Sequence, residues 1–574
     1  MDTSINCSVD RNLLPYDTAC LLIKNSLPYP VDLFSVSTEC YQCNGTYWTT
    51  VPLLADLSML VSAAHKLTLT AIIQGNRQRV CQKSALFTQH EVVSWDILNC
   101  TLTTQEKGDN VFLPLYFFTG FVVSLMLLLT ICKAAYHSRW AQNLLTRDPA
   151  IIDLQNDLGN PSSSSDSLPL VQSELIPLRR LNTPRILSLD TFRGLTIALM
   201  IFVNYGGGKY WFFEHSAWNG VTIADFVFPW FAWVMGVSLV LSYRSKLRSC
   251  VSRRAVFWVS LRRTTALVAL GLLVNMFGHD DLSTARFCGV LQRLGMAHLV
   301  VSTLEITFMK KQPSFQVRRW LPISELVESW CQWLVIMLLV AIHLVVTFHL
   351  PVPGCPTGYL GPGGVGNYSW APHCTGGAAR HIDTIMFSDS HLYDSGPVKR
   401  VYHTTVPFDP EGILGTLTTC LTVYLGVVAG YIILCYNSTR QRCTHWLFWA
   451  LLTGVISGSL CGWSQEGGLI PVNKQLWSLS FALLTSASGF LLLAILFVIV
   501  DHFNWWSGSP FRYAGMNAIL LYIGHIITRH TFPWSWKPYN VTDHKELFLM
   551  NVSGVVLWLL ISKVLHSNEI FFSV

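Results

Sequence analysis

The residues best suited to chemistry lie in the stretch N-Y-G-G-G-K-Y-W-F-F-E-H-S-A-W-N-G, Asn204 to Gly220. It sets His215 among glycines and polar residues, between two apolar segments that read as membrane spans. Polar groups at the mouth of a membrane bundle are costly to keep and mark functional sites. An imidazole there can act as a general base or as a nucleophile. Asn204 can donate its amide hydrogens to a developing oxyanion. Gly206, Gly207 and Gly208 either form a plain flexible loop or turn the backbone tightly enough to bring amide donors near a ligand. Two carboxylates are close in sequence, Glu214 and Asp225. Asp225 opens the next apolar segment, where it either caps the helix or orients the His215 ring, as the third member of a triad does.

A second set is cationic. S-L-D-T-F-R-G puts Asp190 and Arg193 about one turn apart at the start of a span. They form either a salt-bridged helix start or an arginine aimed into the bundle at phosphate, which its planar fork suits. G-V-L-Q-R-L-G places Gln292 and Arg293 inside another span, where Arg293 needs a partner. The expected partners are Asp225 and an anionic cofactor. For Asn275, His298, His343, Asn517 and His525, taken singly, an interhelical hydrogen bond is the expected role. The chain has no H-E-x-x-H, no paired C-x-x-C, no G-x-S-x-G elbow and no Walker or dinucleotide loop. No metal is expected, and energy-driven pumping has no support.

The groups must be positioned by a membrane bundle. Of the 574 residues, 51% are hydrophobic and 13% charged, against about 25% charged in a soluble domain. The net charge of +6 comes from short basic clusters beside apolar segments. Such clusters orient a protein in the bilayer and form no stripe for nucleic acid. At about 20 apolar residues per span, the chain reads as about eleven helices. These lie near 111–132, 191–207, 221–243, 262–278, 287–309, 330–349, 412–435, 444–463, 475–500, 511–528 and 546–565. Lys133, Arg139 and Arg147 follow the first span, and the same side receives Arg244, Lys246, Lys310, Lys311, Arg440 and Arg442. That side is expected in the cytosol, which leaves the N-terminus lumenal and the C-terminus cytosolic.

The sequons at Asn6, Asn44, Asn99, Asn367 and Asn540 then face the lumen as glycosylation acceptors. Asn437 falls on the cytosolic side, and Asn551 lies inside a helix. Cys7, Cys20, Cys40, Cys43, Cys81 and Cys100 precede the first span, and Cys355 and Cys374 share one lumenal loop. Disulfides are expected, with Cys40 and Cys43 forming a structural bridge and the other pairings open. The fold class is a polytopic α-helical membrane protein with a small β-rich, disulfide-containing lumenal N-terminal domain. Residues 1–110 form that domain, in which V-D-L-F-S-V-S and L-T-L-T-A-I-I-Q alternate as half-buried strands do. Residues 111–132 are the first transmembrane helix. Residues 133–186 are a cytosolic linker with the serine-rich tether P-S-S-S-S-D-S, and 187–574 a ten-helix domain. The opening M-D-T-S-I-N-C-S has neither the basic nor the apolar region of a signal peptide. The expectation is an incomplete or processed start, or a first span that translocates its own N-terminal segment.

The strings S-L-D-T-F-R-G, V-N-Y-G-G-G-K-Y-W, W-N-G-V-T-I-A-D-F-V-F-P-W-F, G-V-L-Q-R-L-G, V-P-G-C-P-T-G-Y-L-G-P-G-G, D-P-E-G-I-L-G-T, I-P-V-N-K-Q-L-W-S-L-S and G-M-N-A-I-L-L-Y-I-G-H run from Ser188 to His525. With them the chain resembles the lysosomal heparan-α-glucosaminide N-acetyltransferase family, a branch of the multi-span membrane acyltransferases. The resemblance implies transfer of acetyl from cytosolic acetyl-CoA to the terminal non-reducing glucosamine amine of lumenal heparan sulfate, in lysosomal degradation of that polymer. It implies that residues 187–574 are the acyltransferase domain, with His215 at the active site and Asn204 assisting. It also implies acetyl-CoA as co-substrate and the lysosomal membrane, with its lipid, as location; the oligomeric state is open, a homodimer being one option. The linker carries only imperfect dileucine signals, so lysosomal delivery rests on the resemblance.

The slender pantetheine arm of CoA would reach through the bundle, leaving its phosphates near Arg193, Arg262 and Arg263, with Arg293 a further contact to the donor. Lys209, Tyr210 and Trp211 would hold the sugar, Lys209 pairing with sulfates. Direct transfer with His215 as base is favoured over a ping-pong route, because acetyl-imidazole facing water would hydrolyse. Two other classes compete. A transporter of a polar or anionic solute would use Arg293, His298 and His525, but the sequence has no clear internal repeat. A catalytically inactive binding protein would use residues 1–110 as its receptor.

Overall fold

Period-two alternation dictates strands with one buried face. The computed structural model describes residues 14–75, 78–137, 185–249, 251–277, 281–309, 329–539 and 541–572. Its strands are β1 (Thr18–Lys24), β2 (Val31–Ser37), β3 (Thr46–Val51), β4 (Asp56–Ser62), β5 (Leu67–Ile73), β6 (Arg79–Ala85), β7 (Val92–Asp96) and β8 (Thr101–Glu106). The two segments with the clearest alternation become β2 and β5, which pair antiparallel. They belong to one of two four-stranded sheets, ordered β4-β1-β7-β8 and β3-β2-β5-β6. The sheets share a core that includes Leu21, Leu33, Leu69 and Trp95. Disulfides join Cys40 to Cys43, Cys81 to Cys100 and Cys355 to Cys374, and Cys20 is disulfide-bonded as well. Asn44 and Asn99 are exposed and Asn367 is half-buried. The sequons at Asn6 and Asn540, Cys7, and nearly all of the expected linker lie outside the described residues.

Met1–Asp109 and Ile186–Val574 form one unit, and Asn110–Arg185 a second. The second contains α1 (Leu113–His137), an apolar helix. The first contains α2 (Leu187–Asn204), α3 (Val227–Arg248), α4 (Arg253–Met276), α5 (Val290–Phe308), α6 (Trp330–His349), α7 (Ala378–Phe387) and α8 (Pro397–Tyr402). It continues with α9 (Ile413–Cys435), α10 (Thr439–Leu460), α11 (Leu479–Leu496), α12 (Phe511–Met516), α13 (Ala518–Thr528) and α14 (His544–Ser567). Among the described residues, 9 helices are long and apolar enough to cross a membrane. The chain is thus a helical membrane protein with a β-sheet domain at its N-terminal end.

The count departs from the expected eleven in two places. Helix α5 carries Gln292, Arg293, His298 and Glu305 along its buried side. Residues 511–528 are two short helices, not one, because Asn517 leaves helical geometry between them. Its side chain donates to Ile570 O at 3.1 Å and accepts from Phe572 N at 2.9 Å. Helix α4 also begins earlier than the apolar run that marks it, so Arg262 and Arg263 stand within the helix and not at its mouth.

The centre of the bundle is the crossing of α3 and α9. A Cβ on Gly236 would collide with the carbonyl of Val423, and one on Gly426 with the carbonyl of Trp233. Small residues at such crossings let two backbones approach closely in a setting where lipid supplies no hydrophobic drive. This packing fixes the start of α3, and with it Asp225, against the rest of the bundle.

Candidate active site

Helix α2 carries Arg193 near its first turn and ends at Asn204, roughly 16 Å further along the axis at 1.5 Å per residue. The backbone then turns sharply, with φ of 122°, 58° and 65° at Gly206, Gly207 and Gly208, values glycine adopts without penalty. The turn is held from α14. Gly208 N donates to Asn551 Oδ1 at 2.7 Å, and Asn551 Nδ2 donates to Tyr205 O at 2.8 Å. The Gly208 amide therefore serves the fold and is not offered to a ligand.

Asp225 organises the next segment. It is fully buried (0% exposed). Its Oδ2 accepts from Ser216 N at 3.1 Å and Thr222 N at 3.0 Å, while the Thr222 hydroxyl donates to Glu214 O at 2.6 Å. Its Oδ1 lies 2.8 Å from His215 Nδ1 and 3.2 Å from Lys474 Nζ. The same Nζ lies 2.8 Å from His215 Nδ1. Lys474 comes from a loop tied to the histidine segment by Asn473, whose Nδ2 donates to Asn219 Oδ1 at 3.0 Å and whose Oδ1 accepts from Leu476 N at 2.8 Å. These contacts occupy Nδ1 and leave Nε2 as the ring nitrogen open to reaction, on a side chain that is 37% exposed.

His215 and Lys474 line a cavity of about 210 Å³ with Arg286, Tyr393, Lys399 and Glu411. Asp409 Oδ2 and Oδ1 accept from Arg286 Nε and Nη2 at 2.7 Å each, and Glu411 accepts from Nη2 as well. Burial opposes the Arg286 charge, but Glu411 and Asp409 outweigh it and raise its pKa. Asp383 Oδ1 accepts from Ile413 N at 2.9 Å. Burial, helped by the charge of Asp409, pushes the Asp383 carboxyl up to about 7. A second cavity, of about 310 Å³, is mostly apolar and is lined by Arg193, Arg263, Ser238, Met235 and Tyr522. Val290, at the start of α5, lines both cavities.

The remaining expected residues divide clearly. Arg193 bonds Ser238 Oγ at 2.7 Å and Gly515 O at 3.1 Å, with Asp190 at 3.5 Å, so the helix-start pair and the inward orientation coexist. Arg263 has a buried Nε without a hydrogen-bond partner and faces the second cavity, whereas Arg262 is exposed. Arg293 does not pair with Asp225. It donates to Gly412 O at 2.8 Å and lies over the Trp477 ring, because its turn of α5 faces α9. Glu214 turns away from His215 and accepts from Arg400 Nη2 at 2.8 Å. Asn204 donates to His525 Nε2 at 2.9 Å.

Lys209, Tyr210 and Trp211 do not line the His215 cavity. Tyr210 is 1% exposed and stacked on His544 at 4.4 Å, and Trp211 packs on His65 of the β-domain. His343 meets Leu414 O, Asn275 meets Arg286 O and Cys288 O, and His298 meets Thr264, each a structural bond. Among the described residues, no three His, Cys, Asp or Glu side chains are grouped to hold a metal. Lys474, Arg286, Asp409 and Glu411 carry no periodic signal. Asp409, Glu411 and Lys474 stand in two of the strings that carry the family resemblance, D-P-E-G-I-L-G-T and I-P-V-N-K-Q-L-W-S-L-S, but nothing in those strings marks a role for them.

No family model matches the chain. It is 36% identical over 594 residues to the heparan-α-glucosaminide N-acetyltransferase of Mus musculus, an alignment covering 98% of this chain and 90% of that protein. To the protein of the same description from Homo sapiens it is 37% identical over 588 residues, covering 98% and 88%. An apolar helical bundle with these relatives is a membrane acyltransferase. The chain belongs to the heparan-α-glucosaminide N-acetyltransferase family.

Proposed function

We propose that this protein transfers acetyl from cytosolic acetyl-CoA to the amine of the terminal non-reducing glucosamine of heparan sulfate, across the lysosomal membrane. The observation that carries the reading is the carboxylate-held His215 in a cavity that shares Val290 with a second, apolar cavity containing Arg193 and Arg263. Arg263 lines that cavity and its buried Nε has no hydrogen-bond partner among the described residues, which suits an anionic donor there. Arg193 and Arg263 would hold the phosphates of acetyl-CoA, and the apolar walls would receive its slender arm. Arg262, exposed on α4, and Arg293, whose Nη2 bonds Gly412 O while Nε and Nη1 are buried without a partner among the described residues, line neither cavity and are left out of the donor contacts proposed here. The donor supplies an acetyl group activated as a thioester.

His215 Nε2 accepts a proton from the amine as the new N–C bond forms. The C–S bond breaks, and the proton passes to the departing thiolate. Asp225 holds the ring and its Nδ1 proton throughout. Asn204 lines neither cavity and donates to His525; in this reading its second amide hydrogen would serve the acetyl oxygen. Arg286, Lys399 and Glu411 surround the acceptor with charge of both signs, suited to an amino sugar bearing acidic substituents. The β-domain and the sequons at Asn6, Asn44, Asn99, Asn367 and Asn540 face the lumen in this reading, and the C-terminus faces the cytosol.

The test uses purified full-length protein in detergent with labelled acetyl-CoA and glucosamine. The unaltered chain forms N-acetylglucosamine, and His215→Ala lowers the rate by at least about 100-fold while folding is kept. Undiminished transfer by that variant overturns the role of His215. Solute uptake into liposomes without any acetylated product would make the protein a carrier instead.

A further inference from the structure

Resting on that reading, we infer that Lys474 is a positioning residue that keeps His215 uncharged, with its single proton on Nδ1, so that the ring still works as a base in an acidic compartment. Three groups lie within hydrogen-bond distance of one another. His215 Nδ1 lies 2.8 Å from Asp225 Oδ1 and 2.8 Å from Lys474 Nζ, and Nζ lies 3.2 Å from the same Oδ1. An ammonium group only donates and a carboxylate only accepts. Nδ1 therefore cannot bond both. If it accepted from Lys474, its lone pair would be turned on the carboxylate as well, and the proton would sit on Nε2, where a base needs a lone pair.

If Nδ1 donates to Asp225 instead, Oδ1 takes the histidine proton and the ammonium together, while Oδ2 keeps Ser216 N and Thr222 N. The 2.8 Å approach of Nζ to Nδ1 is then two donors side by side on one carboxylate oxygen, held there by the Asp225 charge. The ring is neutral, and Nε2 is free to accept a proton.

Charge reinforces the choice. A carboxylate alone beside an imidazole favours the doubly protonated ring. Here the carboxylate is already matched by an ammonium, and protonating the ring would place a second positive charge against Nζ. The other charged groups near this cavity are matched elsewhere. Arg286 is held by Asp409 and Glu411, Lys399 by Asp394 at 2.7 Å, and Glu214 by Arg400. Asp225 and Lys474 are the two charges in direct contact with the ring, and both are mostly buried, with side-chain exposures of 0% and 12%. Burial keeps their effect from being screened.

The test compares the full-length protein with Lys474→Met and Lys474→Arg, measuring acetyl transfer to glucosamine between about pH 4 and 8. The expected result is an acid limb of kcat/KM moved to higher pH by about one unit or more in Lys474→Met, so that the loss is largest in acid. In Lys474→Arg the limb stays where it was. A uniform loss at every pH in Lys474→Met, or a rise in KM alone, overturns the inference and makes Lys474 a structural or acceptor contact. Should Lys474→Met not fold, Lys474→Gln, which can still bond Asp225, carries the same comparison. Absence of transfer by the unaltered chain sinks the proposed function itself, a result distinct from an unmoved acid limb.

Discussion

The side-chain amide of Asn204 donates to Nε2 of His525 at 2.9 Å, while His525 Nδ1 meets Leu521 O at 3.1 Å within its own helix. The second bond fixes the ring proton on Nδ1 and makes Nε2 an acceptor. It therefore fixes which face of Asn204 carries the nitrogen. An amide offered to an oxyanion must present that nitrogen, so His525 orients a group that the proposed reaction uses.

Asn204→Ala is expected to lower kcat by about 100-fold with little change in KM, the usual cost of one oxyanion donor. His525→Leu leaves Asn204 in place but unoriented, and is expected to lower kcat by roughly 10-fold, by analogy with lost outer-shell partners. His525→Gln, which can still accept, should recover part of that loss. Steady-state kinetics of the three variants decides it. Equal activity in His525→Leu and the unaltered chain rejects the orienting role.

Acid should stabilise this protein through Asp383. Burial pushes its carboxyl from the ordinary 3.8 up to about 7, so the folded chain holds a proton that the unfolded chain releases. The stabilisation is complete below about pH 4 and is lost as pH rises toward 7, at roughly 1.4 kcal/mol per unit between them. Asp383→Asn keeps the acceptor for Ile413 N and removes the titration. Thermal unfolding at about pH 5 and 7 should show a falling Tm in the unaltered chain and a smaller fall in the variant. Parallel falls in both would rule Asp383 out as the source.

Arg286 holds two carboxylates together at the wall of the His215 cavity. Asp409 beside it is 2% exposed, and removing one member of a buried ion pair leaves an uncompensated charge. Arg286→Met is expected to cost about 3–5 kcal/mol, whereas Lys399→Met, which loses a half-exposed pair with Asp394, should cost under about 1 kcal/mol. Denaturation of both variants in the same detergent checks the contrast.

What the sequence reveals follows from the range of the interaction. Strands β2 and β5 are legible because alternation is local, while the parallel pairing of β1 with β7 joins segments that carry no mark of each other. His215, Asn204 and Asp225 stand out because polar residues interrupt apolar runs. Lys474 does not, since it reaches the histidine from 259 residues away through a loop without periodicity. Arg293 shows the opposite failure. Its depth in a span is readable, but the face it presents is set by helix packing, which turns it to Gly412 and away from Asp225. Tyr210 is an exposed sugar contact in a linear reading and is buried in the structure because His544 stacks on it.

That stacking belongs to a joint whose failure should reach the active site. His544 Nε2 lies 2.9 Å from Asp17 Oδ1 in the β-domain, and its Nδ1 lies 2.8 Å from Gly208 O in the turn that leads to His215. One imidazole thus links the turn before β1, the start of α14 and the loop that carries His215. His544→Phe keeps an aromatic ring against Tyr210 and removes both polar contacts. Gly208 O and Asp17 lose a buried partner, a penalty of about 1–3 kcal/mol each when no water replaces it. The loop should then open more often than the bundle as a whole. Hydrogen exchange is expected to quicken in residues 206–216 and in the Asp17 turn while α3 and α9 stay protected, and acetyl transfer should fall several-fold with the loop's disorder. Unchanged exchange in that segment would mean the ring stack alone holds the joint, with the two polar contacts adding nothing measurable.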